Sequence, residues 1–194
     1  MRLDSRIVLI VLAIAIVATA GFAVYMLAGR GGEEGPQNKL GGIENFIVAR
    51  EVKAAPLLSF LDEHGEKLTL EKFRGRVVVL NLWATWCAPC IEELPTLDHL
   101  QQQLKPLGVI VIALSIDRDG PKIVREFLDE NEITNLAVFV DPTMRAQSDL
   151  NVIGLPTTII IDRDGRERGR IVGPAGWDDA KVADLVLSAS TPLR

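Results

Sequence analysis

The chain has 194 residues, a formal net charge of −5 at pH 7 and two cysteines. This acidic balance, without a basic cluster, argues against nucleic acid as a partner. Beyond a distinct N-terminal region, the remaining length is that of one domain with a sizeable core.

The N-terminal region contains an uncharged apolar run from Ile7 to Ala28, with arginines on both sides. At about 1.5 Å per residue it would form a helix of about 33 Å, enough to cross a hydrocarbon core of about 30 Å. A signal peptide is the alternative, because Ala18-Thr19-Ala20 resembles a cleavage site, but the apolar run continues past it. We expect an uncleaved membrane anchor over residues 1–30. Two arginines in the N-terminal tail favour that end inside and the rest of the chain outside, in a bacterial periplasm.

A glycine-rich stretch follows the predicted anchor. Together with a short lead-in it predicts a flexible linker over residues 31–55, which would tether a globular domain over residues 56–194. At the start of that domain, Leu57 to Leu61 and the His64-Gly65 turn suggest a small additional hairpin.

Two apolar runs, Arg76 to Trp83 and Gly108 to Ile116, predict strands buried on both faces. Between them, apolar side chains from Ile91 to Leu104 recur at three- and four-residue spacing, which predicts an amphipathic helix. In such a strand-helix-strand unit, the loop after the first strand lies at the carboxyl edge of the sheet. That loop carries Cys87 and Cys90.

Further elements are predicted beyond this unit. Two strands flank an Asp-Gly step, which is a strong hairpin signal. In chain order the predicted elements are a helix opened by Pro121, a strand from Leu136 to Val140, a helix from Thr143 to Leu150, strands from Thr157 to Asp162 and from Glu167 to Val172, and a helix from Trp177 to Ala189.

Three roles are open to the cysteine pair. A disulfide that closes so short a loop would stabilise the fold by only about 1.9 kcal/mol, so it is a poor staple. Zinc commonly takes two Cys-x-x-Cys pairs, or one such pair and two nearby histidines, but the chain has no further cysteine and its histidines are His64, in a predicted turn, and His99, about three helical turns beyond Cys87. A two-coordinate Cu(I) site remains open. The third role is that of a redox reagent.

The redox role has a physical basis in the position of Cys87. This residue lies where a strand ends and a helix begins, and Pro89 is tolerated in the first helical turn. The partial positive charge of the helix N-terminus would favour the Cys87 thiolate. Cys90, one turn further on, would be more covered and would resolve a mixed disulfide formed by Cys87.

Further residues fit the same chemistry. Pro156 precedes a strand, where it would be either an edge residue or a cis proline that presents the Leu155 backbone to a partner chain. Glu93 lies on nearly the same helix face as Cys90 and would be either a solvated acid or a half-buried base that exchanges the Cys90 proton. Trp86 is expected to form a pocket wall.

The segments Trp83-Ala84-x-Trp86-Cys87-x-Pro89-Cys90 and Gly154-Leu155-Pro156-Thr157 resemble those of the thioredoxin-like superfamily. With Asn81, the Glu93-x-Pro95 step, the Asp162-Arg-Asp-Gly165 turn and Gly173 to Trp177, the chain looks like the TlpA branch of membrane-anchored disulfide reductases. The resemblance implies an α/β, thioredoxin-like three-layer sandwich with a mixed central sheet, an added N-terminal hairpin and an N-terminal transmembrane helix.

The resemblance also implies the roles of the site residues. Cys87 would be the nucleophile and Cys90 the resolver, with no metal and no cofactor besides this redox-active pair. Pro156 would have a cis bond and, with Trp86 and Leu155, would bind the substrate. Soluble thioredoxins have a buried Asp where this chain has Asn81, so proton handling would fall to Glu93.

The expected partners are periplasmic protein disulfides and an integral-membrane electron donor. TlpA-like proteins are associated with copper-centre assembly in cytochrome oxidase, whereas the branch that contains ResA and CcmG reduces apocytochrome c. CcmG proteins have an acid after the cis proline, where this chain has Thr157, which argues against CcmG. A Cu(I)-holding module without turnover is the alternative from another class.

Overall fold

A mixed eight-stranded sheet forms the centre of the structure, a computed structural model that describes residues 46–49, 51 and 53–188. The strands are β1 (Phe46–Val48), β2 (Ser59–Asp62), β3 (Lys67–Thr69), β4 (Val77–Trp83), β5 (Val109–Ser115), β6 (Phe139–Val140), β7 (Thr157–Ile161) and β8 (Glu167–Val172). Their order across the sheet is β1-β8-β7-β4-β5-β6-β2-β3. The pairs β4–β5 and β5–β6 are parallel, and the other neighbours are antiparallel.

Helices cover both faces of this sheet. They are α1 (Ala88–Leu104), α2 (Pro121–Glu130), α3 (Arg145–Asp149) and α4 (Ala180–Ser188), with short 3₁₀ helices at Leu70–Phe73 and Lys105–Leu107. Side chains of α1, α2 and α4 share one core cluster with Cys87 and Cys90, whereas α3 packs into a second cluster. The predicted α/β architecture with a mixed sheet is therefore confirmed.

Strand β4 shows why the sheet is buried on both sides. Its seven residues are all buried, because successive side chains of a strand point to opposite faces. Val77, Val79 and Trp83 enter the cluster that contains the cysteines. Val78, Leu80 and Leu82 enter the other cluster. Asn81 shares the face of Val79 and Trp83 by the same alternation, and that face is covered by α1.

The added N-terminal hairpin is confirmed. Strands β2 and β3 pair antiparallel, and β2 also pairs with β6, so the hairpin extends the sheet at one end. The opposite end is closed by β1, which the sequence pattern did not predict and which pairs with β8. The aromatic ring of Phe46 packs against the first core cluster from this edge strand.

Three predicted elements are shorter in the structure by three residues or more. The helix expected from Thr143 to Leu150 runs from Arg145 to Asp149. The strand expected from Leu136 to Val140 is limited to Phe139–Val140, because the backbone N–H groups of Asn135 and Leu136 instead donate to the carboxylate of Asp98. The last helix begins at Ala180 rather than at Trp177, whose backbone N–H and indole N–H both bond to groups on α1.

The predicted membrane anchor from Ile7 to Ala28 lies outside the described residues, as does most of the linker. Within the part of the chain that is described, no helix combines the length and apolar character needed to cross a bilayer.

Candidate active site

Cys87 and Cys90 form a disulfide at the start of helix α1, with their Cα atoms 5.3 Å apart. Cys87 is the N-cap residue and Pro89 lies in the first turn. A turn connects β4 to this helix, and it is closed by a hydrogen bond from the Cys87 N–H to the Ala84 carbonyl at 3.1 Å. The helix then starts at once, since the carbonyl of Cys87 accepts the N–H of Ile91 at 3.1 Å.

The first turn of α1 favours negative charge on Cys87 after reduction. Among the described residues, no side chain caps this helix at its N-cap position, and its first turn holds no acidic residue. The sulfur of Cys87 is therefore the group next to the positive end of the helix dipole. Such a position lowers the pKa of a thiol and so increases the fraction present as the nucleophilic thiolate at neutral pH.

The two cysteines differ in accessibility in the expected order. Cys87 is 7% exposed and Cys90 is completely buried. A small part of Cys87 is therefore open to a partner from solvent, whereas no part of Cys90 is. This order matches a nucleophile at the surface and a resolver beneath it.

A proline loop lies beside the cysteine turn. The Leu155–Pro156 peptide bond is cis, which confirms that implication of the family resemblance. The antiparallel register places Thr157 opposite Leu82, so Pro156 lies beside the end of β4. The Pro156 carbonyl accepts the Gly173 N–H at 2.9 Å, which ties this loop to the end of β8.

Apolar side chains stand exposed in these two loops. Trp86, which precedes Cys87, is 65% exposed, and Ile153 in the proline loop is 91% exposed. Leu155 is half-buried and packs against both core clusters. Trp86 and Leu155 are two of the residues that the family resemblance assigns to substrate binding. Ile153 was not predicted as part of this surface, because the sequence of a loop does not show whether a single apolar side chain in it is exposed.

Glu93 is a buried acid with donors on both of its oxygens. Its residue is 3% exposed. Oε1 accepts the Asn81 Nδ2–H at 2.7 Å. Oε2 accepts the Ala175 backbone N–H at 3.0 Å and the Trp177 indole N–H at 3.2 Å. The side chain thus joins α1 to β4 and to the segment before α4, and it is not a solvated surface acid.

The pKa of Glu93 is raised above its ordinary value of 4.5. Burial is the main cause, because removal from water disfavours the carboxylate. The hydrogen bonds from Ala175, Trp177 and Asn81 act in the opposite direction and do not outweigh burial. An acid of this kind can exchange a proton at a pH closer to neutrality than an exposed glutamate can.

Asn81 occupies the position between Glu93 and the neighbouring strand. Its Nδ2 also donates to the Thr158 hydroxyl at 2.9 Å, whereas its buried Oδ1 has no partner among the described residues. The sequence indicated that Asn81 does not titrate. It gave no indication that Ala175 and Trp177 donate to Glu93, or that Thr158 accepts from Asn81, because these contacts join residues far apart in the chain.

The described residues hold no group of three or more His, Cys, Asp or Glu side chains arranged to bind a metal ion. His64 lies near Glu63 and His99 near Gln103, both on exposed surfaces. Among the described residues, the side-chain partners of the two histidines are these neighbours and not the cysteines.

Comparisons with known proteins agree with this geometry. The model of the Redoxin family matches residues 50–187. The chain is 36% identical over 121 residues to the thiol-disulfide oxidoreductase ResA of Bacillus thuringiensis subsp. konkukian, an alignment that covers 62% of this chain and 69% of the relative. It is 34% identical over 120 residues to the thioredoxin-like protein YneN of Bacillus subtilis, covering 61% and 69% of the two chains.

A similar fold is found among solved structures. The crystal structure of a putative thiol:disulfide interchange protein DsbE from Chlorobium tepidum aligns with a TM-score of 0.64 at 28% identity. The alignment covers 72% of this chain and 96% of the other. This similarity confirms the thioredoxin-like fold expected from the two sequence motifs.

Proposed function

Because the chain belongs to the Redoxin family, in which its relatives are thiol-disulfide oxidoreductases, we propose that it reduces disulfides in partner proteins through Cys87 and Cys90. The observation that carries this proposal is the position of the disulfide. Its outer sulfur lies at a helix N-terminus, where attack by a thiolate is favoured. A disulfide that served only as a staple would gain nothing from that position.

The proposed reaction has two exchange steps. The Cys87 thiolate attacks one sulfur of a substrate disulfide, a mixed disulfide forms, and the other substrate sulfur leaves as a thiolate. Cys90 then loses its proton and attacks the Cys87 sulfur. The second substrate sulfur leaves, so the substrate gains two electrons and the Cys87–Cys90 disulfide is restored. A dithiol of an integral-membrane donor would reduce that disulfide again.

Glu93 is proposed to take and return the proton of Cys90. Both residues are buried on helix α1, three positions apart, and therefore on nearly the same helix face. A buried thiol has no direct access to water, so a local acceptor is needed to generate its thiolate. The raised pKa of Glu93 suits this exchange, because the carboxyl group can both accept and release a proton.

The substrate is proposed to be recognised at the two loops that flank Cys87. The exposed Trp86 and the half-buried Leu155 offer an apolar surface, and the cis bond to the buried Pro156 would present the Leu155 backbone as an edge. An extended partner chain could pair with such an edge while its cysteine approaches Cys87.

The cellular setting follows from the N-terminal sequence. We infer that residues 1–30 anchor the protein in a bacterial inner membrane and that residues 56–194 function in the periplasm. The linker predicted over residues 31–55 would connect the two, but β1 at Phe46–Val48 already pairs with β8, so a flexible tether would have to end before this strand. An oxidising compartment keeps protein cysteines as disulfides, so a reductase there has substrates. The tether would keep the site near both its donor and membrane-bound targets.

Copper-centre proteins of cytochrome oxidase assembly are the first candidate substrates, from the resemblance to the TlpA branch. Apocytochrome c is the second, and it is favoured by the relatives named ResA. On that resemblance, copper-site cysteines would be reduced in the first case, and apocytochrome c would be reduced for haem attachment in the second.

Covalent trapping tests the function and the substrate together. A full-length Cys90→Ser variant, produced in the membrane, should accumulate a mixed disulfide between Cys87 and its substrate. The Cys87→Ser/Cys90→Ser double variant is the matched control and should capture nothing. Absence of any Cys87 adduct, together with stoichiometric Cu(I) retention and no reduction of insulin disulfides by the wild type, would instead support a copper-holding module.

A further inference from the structure

A second buried carboxylate lies close to the turn that bears Cys87. Asp117 follows strand β5 and is 4% exposed. Its Oδ1 accepts the Thr85 hydroxyl at 2.7 Å, and its Oδ2 accepts the Thr85 backbone N–H at 3.0 Å and the Ser115 hydroxyl at 2.6 Å. The carboxylate therefore holds Thr85 by its main chain and its side chain at once.

Thr85 is the second residue of the turn that leads to the disulfide. That turn is closed by the hydrogen bond from the Cys87 N–H to the Ala84 carbonyl. Its third residue is Trp86, which is 65% exposed. A group that fixes Thr85 therefore fixes both the start of α1, where Cys87 lies, and the direction in which Trp86 is presented.

The Asp117 contacts continue the pairing of β4 and β5 beyond the strand ends. The parallel register ends with Trp83 opposite Ser115, and one more backbone bond runs from the Ile116 N–H to the Trp83 carbonyl at 3.0 Å. Beyond this point, no regular ladder between described residues holds the cysteine turn to the sheet. The bonds between Asp117 and Thr85 take over that function.

Asp117 is an acid that is buried among uncharged hydrogen-bond donors. The hydrogen-bond partners of Asp117 in the described part of the chain are all uncharged, being the groups of Thr85 and the hydroxyl of Ser115. Burial of a carboxylate without a cation is costly. Hydrogen bonds to a charged acceptor are, however, about twice as strong as neutral ones, and two of them converge on a single turn residue.

The geometry points to Asp117 as a positioning residue of the redox site, acting through Thr85 to hold Cys87 and Trp86 in place for attack on a partner disulfide. This inference rests on the proposed function for its catalytic readout. Displacement of a reacting group by about 1 Å can reduce a rate by about a hundredfold, so a rigid turn is valuable here.

The test compares Thr85→Val, which removes the hydroxyl at nearly constant shape, with Thr85→Ser, which keeps it. In the full-length chain, Thr85→Val should lower kcat/KM for insulin reduction about tenfold, mainly through kcat, and Thr85→Ser should recover most of the loss. Alkylation of reduced Cys87 should also slow roughly threefold at neutral pH in Thr85→Val, because a looser helix start stabilises its thiolate less.

Asp117→Asn supplies the second arm, with Asp119→Asn, an exposed acid of the same loop, as its control. The Thr85→Val and Asp117→Asn effects on kcat/KM should be strongly non-additive, because both variants disrupt the same contact. Asp119→Asn should behave like the wild type.

Thr85→Val with wild-type kinetics and a wild-type alkylation rate would overturn the inference, even if its unfolding free energy changed. The same result decides the question if Asp117→Asn does not fold. A wild-type protein that reduces no disulfide would refute the proposed function, whereas the Cys87 alkylation rates would still test the role of Asp117.

Discussion

Glu93 combines burial with hydrogen bonds that favour its charged form, and burial prevails. Its carboxylate therefore forms only as the pH rises through a pKa above the ordinary 4.5. If the carboxylate accepts the Cys90 proton, the turnover rate should increase as the pH rises through the raised pKa of Glu93. Glu93→Gln should abolish that rise and lower turnover about a hundredfold, as measured by insulin reduction at several pH values.

Glu92→Gln is the control for this prediction, because Glu92 is the exposed neighbour of Glu93 on the same helix. It should keep both the rate and the pH dependence of the wild type. If Glu93→Gln retained the wild-type pH dependence, a different group would have to accept the Cys90 proton.

The indole of Trp177 offers a finer test of the same acid. Its N–H donates to Glu93 Oε2 at 3.2 Å and so stabilises the carboxylate. Trp177→Phe keeps an aromatic ring and removes this donor, so the pKa of Glu93 should rise further. The pH dependence of turnover should then shift to higher pH, which a pH series of kcat/KM would detect.

Trp83→Phe is the matched control for Trp177→Phe. Trp83 is equally buried, and its indole N–H has no hydrogen-bond partner among the described residues. Loss of that N–H should leave the pH dependence in place. Equal shifts in both variants would mean that packing of the ring, and not the hydrogen bond, sets the pKa of Glu93.

At the scale of elements, the edge strand β1 depends on one glycine of β8. A Cβ atom added at Gly169 would clash with Cζ of Phe46 and would lie 2.7 Å from the backbone oxygen of Ile47. The Phe46 ring can turn aside, but the Ile47 backbone can move only if β1 shifts. Gly169→Ala should therefore lower the free energy of unfolding by about 1–3 kcal/mol, measured by chemical denaturation.

Gly154→Ala is the comparison for this effect, since a Cβ at Gly154 would meet no atom within 4 Å. It should change the free energy of unfolding little. In the wild type the Ala49 N–H donates to the Arg168 carbonyl. The hydrogen-exchange rate of this N–H should increase in Gly169→Ala and should not increase in Gly154→Ala. Unchanged exchange at Ala49 would show that β1 tolerates the added methyl group.

The elements that the sequence predicted well are those with a strong local signal. The apolar runs of β4 and β5 and the spacing along α1 reproduce the observed elements to within a few residues. Strand β1 was missed because a three-residue strand carries too little periodicity to be recognised, and its pairing partner β8 is distant in sequence.

In the candidate site, too, the features with a local sequence signal were predicted and those that depend on tertiary contacts were not. The position of Cys87 at a helix start follows from local pattern, and it was predicted. The start of α4 was placed too early, at Trp177, because its apolar side chain fits a helical pattern. The side chain and backbone of Trp177 instead bond to α1, a tertiary contact that no local pattern encodes.

At the scale of the whole molecule, the sheet separates the redox chemistry from the added hairpin. Cys87 and Cys90 belong to the core cluster on one face of the sheet, whereas Phe60 of β2 belongs to the cluster on the other. Phe60, Phe73 and Phe139 pack as an aromatic group on that second face. Changes to this group should thus alter stability more than they alter the properties of the disulfide.

The buried acid also makes the stability of the whole fold depend on pH. Between the ordinary value of 4.5 and the raised pKa, Glu93 is protonated in the folded chain and ionised in the unfolded chain. The folded state then binds more protons, so its contribution to stability is complete below the unfolded pKa and is lost as the pH rises through the folded pKa. One such group gives a slope of at most about 1.4 kcal/mol per pH unit.

Glu93→Gln should remove this slope, because glutamine does not titrate. The free energy of unfolding of the wild type, from urea titrations at a series of pH values, should fall relative to that of Glu93→Gln as the pH increases above 4.5. The difference should level off once Glu93 is ionised in both states. Parallel curves for the two proteins would mean that the pKa of Glu93 does not differ between the folded and unfolded chains, and the proposed proton exchange with Cys90 would lose its physical basis.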